Sequence, residues 1–150
     1  MRYKKAALIV GGIIALTLFA VWSLSVFMKG RNLAYMQKIS GVRLPSGVRG
    51  VSVYDNGEMY VTGHVLLPGN AVNDFASKFA FQPISRKEEA PSRILGIEWL
   101  DPAFRTIPKD AELAEYHGRS PRNTWLFILD KRSGHLWFTV QYPDYGGDPP

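Results

Sequence analysis

The sequence predicts an α+β protein: an N-terminal transmembrane helix, then a small domain with an antiparallel sheet of four or five strands and one or two packed helices. Three observations carry this expectation. Residues Ala6 to Met28 form a run without a charged side chain. Asp55-Asn56-Gly57 separates two extended segments. Thr124 to Leu129 and the alternating His135 to Tyr142 form a second strand pair around Asp130 to Gly134.

The apolar run comes first. As a helix rising about 1.5 Å per residue it covers roughly 34 Å, enough for a hydrocarbon core of about 30 Å. It is longer than a typical signal-peptide core. It ends on Val26, Phe27 and Met28, and its best small-residue site is Ser23-Leu24-Ser25. These features favour an uncleaved anchor over a removed signal. Tyr3 and Trp22 fall near its two ends, at headgroup level. The domain organisation expected is a basic N-tail at 1–5, the anchor at 6–28, a basic juxtamembrane linker at 29–49, the α+β domain at 50–144 and a disordered tail at 145–150. Leu33, Met36 and Ile39 keep an apolar spacing past the anchor until Gly41 and Pro45.

Orientation rests on two opposed signals. Arg2, Lys4 and Lys5 precede the anchor; Lys29, Arg31, Lys38, Arg43 and Arg49 follow it. The count favours the second flank as cytoplasmic. The short tail with its free amine resists translocation, which favours a cytoplasmic N-terminus and a domain outside the cytoplasm. The expected location is the cell's inner (plasma) membrane, single-pass.

The net charge of +5 is unevenly placed. Residues 1–49 hold eight Lys/Arg and no Asp/Glu, whereas residues 50–150 hold ten Lys/Arg against thirteen Asp/Glu. The basic excess therefore belongs to the membrane flanks, where it can rest on anionic lipid. Nucleic acid is not an expected partner. The absence of cysteine removes disulfides, zinc–thiolate sites and thiol catalysis.

Along the domain, Val51 to Tyr54 and Glu58 to Leu67 read as a hairpin with a type I′ Asn-Gly turn. Met59, Val61, Val65 and Leu67 share one face; Tyr60, Thr62 and His64 share the other. Gly63 interrupts the apolar face and marks a bulge or a close contact. Asn70 is a candidate N-cap for a helix whose Val72, Phe75, Ala76 and Phe79 form one stripe. Ser85 to Ser92 reads as a loop, Ile94 to Leu100 as a strand, and Lys109 to His117 as a short helix. Thr124 to Leu129 is apolar on both faces and so reads as a central strand.

Chemistry is sparsely signalled. His64, His117 and His135 lack metal-ligand spacing, no serine lies in a nucleophile-elbow context, and Gly11-Gly12 lies inside the apolar run. The expectation is no cofactor, no metal and no enzymatic activity. Trp137, Thr139 and Gln141 share the second face of the last strand and, with Trp125 alongside, are candidate partner-binding residues; a helix over 109–117 would instead cover them. Ala7, Gly11 and Ala15 repeat at four-residue spacing and are candidates for helix pairing, hence a homodimer through the anchor. The function expected is a membrane-anchored, non-enzymatic envelope protein whose domain binds another protein: an assembly factor, an accessory subunit or a toxin inhibitor. A membrane-tethered enzyme or a cytoplasm-facing accessory subunit is the alternative.

Overall fold

The computed structural model describes residues 2–142, with side chains from Val10 onward. The expected tail at 145–150, the N-tail side chains and Ala7's side chain lie outside the described residues. The architecture is mixed α+β. Helix α1 (Arg2–Ser40) leads into β1 (Arg49–Asp55) and β2 (Tyr60–Leu66). Then come α2 (Val72–Lys78), β3 (Gln82–Pro83), β4 (Leu113–Arg119), β5 (Thr124–Asp130) and β6 (His135–Gln141). The strands form one sheet in the order β1-β2-β6-β5-β4-β3, all pairs antiparallel. It has six strands, not four or five.

The two extra strands arise where a helix was expected. β4 takes residues 113–119 instead, and the two-residue β3 pairs with it. The physical reason is β5, which is apolar on both faces and needs a neighbour on each edge; β6 supplies one and β4 the other. In β4 the relevant period is two: Ala114 and Tyr116 point one way, Leu113 and Glu115 the other. Ile94 to Leu100 is likewise not a strand. It belongs to a chain of 3-10 turns at Lys87–Glu89, Pro91–Arg93, Ile97–Trp99 and Pro102–Phe104. Pro91 and Pro102 flank the segment, and each opens a 3-10 turn.

The first hairpin forms at the expected place with a different turn. Gly57 takes φ 77°, while Asn56 keeps negative φ, so the turn is not type I′. Asn56 Oδ1 instead accepts from the N–H groups of Met59 (2.8 Å) and Tyr60 (2.9 Å), closing a longer loop. Asn70 does not cap α2. It lies in a 3-10 turn at Gly69–Ala71, and the cap position is Ala71.

Two layers cover the sheet. On one face, called here the anchor face, Val61, Val65, Phe127, Leu129, Leu136, Phe138 and Val140 are buried beneath α2 and the end of α1. Val72, Phe75 and Ala76 come from α2, and Met36 from α1. Met36 is 0% exposed, so the last turns of the long helix are part of the domain core. Burying such a side chain contributes about 1.5–3 kcal/mol. On the far face the turns of 84–111 bring Ile84, Ala90, Ile94, Leu100 and Ala111 against Leu113, Ile128 and Trp137.

The remainder of α1 is bare. From Val10 to Met28 its large apolar side chains are exposed, with Leu16 at 71% and Trp22 at 63%. It is one helix long and apolar enough to cross a membrane. Tyr35, about 10 Å along the axis from Met28, donates to Asn123 Oδ1 (3.2 Å) and packs edge-on against Tyr142 (5.4 Å). Tyr142 in turn donates to Asp55 (3.1 Å). The β1–β2 turn, the β4–β5 turn and the end of β6 thus sit at the end of the sheet nearest the bare helix.

Candidate functional site

At that same end, on the far face, the 84–111 layer stops short and leaves an open cleft of about 660 Å³. Its floor follows from the register: His117, Leu126 and Thr139 form one cross-strand row, and Arg119, Thr124 and Gln141 the next. Strand alternation points these side chains to one face. Ser92, Arg93 and Leu95 from the covering turns form the wall. The cleft is mainly apolar in its depth and carries Arg93, His117 and Arg119, all exposed, at its rim. Arg93 pairs with Glu115, leaving Arg119 and His117 as the cationic and titratable side chains without an ion-pair partner among the described residues. Thr139 Oγ1 is buried and has no hydrogen-bond partner. Thr124 donates to Gln141 (2.6 Å), which fixes the outer row.

Of the four candidate partner-binding residues, Thr139 and Gln141 have their side chains on the floor of this cleft, and Trp137 does not border it. Trp137 is 1% exposed, with its indole N–H donating to the Phe104 carbonyl (2.8 Å). Of the two readings of this face, open or covered by a helix over 109–117, the covered one holds at Trp137, with 3-10 turns in place of the helix. Trp125 is not alongside the others. Its register partners Gly118 and Val140 put its indole on the anchor face. A Cβ at Gly118 would lie 2.7 Å from that ring, so glycine permits the packing. Gly11 and Ala15 are exposed on the bare helix, with nothing within 4 Å of Gly11's Cβ position.

The sequence did not point to Arg93, His117 and Arg119. Arg119 and His117 become a pair on one face only once residues 113–119 are a strand.

A second cluster lies deeper on the far face. His64 Nε2 and His135 Nδ1 are 2.7 Å apart. Phe104 stacks on His64 with ring centres 3.8 Å apart, and Trp137 stacks on His135 at 5.4 Å. His64 Nδ1 faces the Gly50 carbonyl at 3.4 Å, which favours donation there and acceptance at Nε2 from His135. Burial, then the neighbouring His135, lowers the pKa of His64 to about 4; burial also lowers that of His135, partly offset by Asp130. Both rings are neutral at pH 7. No group of three or more His, Asp or Glu suited to a metal occurs among the described residues.

No protein-family model matches the chain, and neither a curated protein nor a solved structure is similar to it.

Proposed function

We propose that this chain is a single-pass membrane protein whose domain, held outside the cytoplasm, binds another protein without catalysing a reaction. The observation that carries it is the continuity of α1: a bare apolar length suited to lipid runs directly into side chains buried in the domain core. A helix exposing Val10 to Met28 in water would be an aggregation liability. A bilayer removes that surface at roughly 25 cal/mol per Å². The cleft supports the binding reading, since its lining offers apolar surface, hydroxyls and arginine. Helix pairing through Ala7, Gly11 and Ala15 would add a homodimer. The orientation, an inner-membrane location and the type of partner belong to the same proposal.

The test has two parts. Reporters fused after Pro150, one active only inside and one only outside the cytoplasm, read the orientation; the chain should resist alkaline carbonate extraction. An inside signal would move the domain to the cytoplasm and sink the envelope reading. Photo-crosslinking residues placed singly at Met59, Trp99 and Arg119, all exposed, should yield at least one specific protein adduct in cells. No adduct from any of them would reject the binding reading.

A further inference from the structure

The strand bordering the cleft has an open outer edge. β3 pairs with β4 only at Ala114 and Glu115, so Tyr116 to Arg119 have no strand beside them. Which groups are free follows from the alternation of an antiparallel ladder. The Glu112 carbonyl accepts from Lys131, and the Ser120 N–H donates to Asn123; both point toward β5. The Leu113 carbonyl accepts from Ile84 on the other side. Odd-numbered residues therefore turn their backbone groups outward. Past Glu115 these are His117 and Arg119, whose outward N–H and C=O groups meet no backbone partner among the described residues. Their side chains are the same two that stand at the cleft rim.

We infer that the open edge of β4 and the adjoining cleft bind an extended, acidic protein segment, which adds to the sheet as a seventh strand beside His117 and Arg119. Four unpaired residues span about 13 Å and template a short strand. Alternate side chains of the incoming segment fall over the cleft. There they meet Arg119 and His117, with Glu115 already engaged by Arg93. Thr139's unpaired hydroxyl lies on the floor. Charge also argues against a second copy as occupant. Pairing of two β4 edges would bring Arg119 of one copy close to Arg119 of the other, and like charges across a strand pair are destabilising.

The inference rests on the protein-binding reading above. Its test uses the full chain in detergent micelles and three labelled hexapeptides: alternating Val-Glu, alternating Val-Lys, and Val-Glu with every second amide N-methylated. Fluorescence anisotropy should show binding of the first, with the other two weaker by about tenfold or more. Arg119→Glu, a surface change, should weaken Val-Glu binding by about tenfold. Amide exchange at His117 and Arg119 should slow on saturation with Val-Glu, while Gly118 stays unchanged. Equal binding of the Val-Lys peptide, binding without slowed exchange, or no binding at millimolar peptide would each overturn the inference. Failure here leaves the broader reading to the crosslinking result: an adduct from Met59 or Trp99 keeps it, whereas none from any position removes both.

Discussion

At the scale of single residues, two features control stability. Gly63 is a close-approach glycine rather than a bulge. A Cβ built there would lie within 3 Å of three atoms of the Phe138 ring, which fills the space a side chain would need. Gly63→Ala should therefore destabilise the domain by about 1–3 kcal/mol, measured as a lower Tm in detergent. An unchanged Tm would show that Phe138 moves aside freely. The interruption of the apolar face by Gly63 was legible in the sequence; the ring that explains it was not. The His64–His135 contact left no sequence signal, since the two residues stand 71 apart and meet only through the β2–β6 register. It makes stability depend on pH. Both pKa values are lowered on folding, so the unfolded chain takes up protons first as pH falls. Stability is full above about pH 6.5 and declines toward about pH 4. His64 alone accounts for up to about 3 kcal/mol of that decline. His64→Gln should show a smaller loss of Tm between pH 7.5 and pH 5 than the unsubstituted chain. An equal loss in both would assign the pH dependence elsewhere.

At the scale of elements, legibility followed periodicity. The two hairpins and α2 had unambiguous repeats and stand where their patterns placed them. β4 did not, because Leu113, Tyr116 and His117 fit a helical stripe as well as a strand, and only the demand of β5 for a second neighbour decides between the two. The turns of 84–111 were legible as irregular in part, yet their role as the far-face layer depends on contacts no local pattern contains. Trp137 illustrates that gap: the sequence left it either exposed for binding or covered by a helix over 109–117, it is a core residue beneath 3-10 turns, and Trp137→Ala should lower stability by about 3–5 kcal/mol rather than act on binding alone. The end of α1 is the other element whose role exceeds its neighbourhood. A chain beginning at Lys29 keeps Leu33, Met36 and Ile39 and should fold as a water-soluble domain. One beginning at Gly41 lacks all three and should lose cooperative unfolding by circular dichroism. Equal melts for the two would show that the helix end is dispensable. Met36→Ala, removing one buried side chain, should cost about 2–5 kcal/mol.

At the scale of the whole molecule, the charge asymmetry of the sequence takes on a spatial meaning. The basic flank from Lys29 to Arg49 borders the end of the apolar helix, while the acidic excess lies in the domain. The cleft with its cationic rim is at the sheet end nearest that helix. One further consequence comes from α1 being a single uninterrupted helix from the bare stretch to Ser40. In a bilayer such a helix accommodates changes of hydrocarbon thickness by tilting. With no hinge before Met36 seats in the core, the tilt passes undiminished to the sheet, so that a change in bilayer thickness changes the angle at which the domain stands to the lipid surface. The domain then behaves as the pointer of a lever whose short arm is the membrane itself.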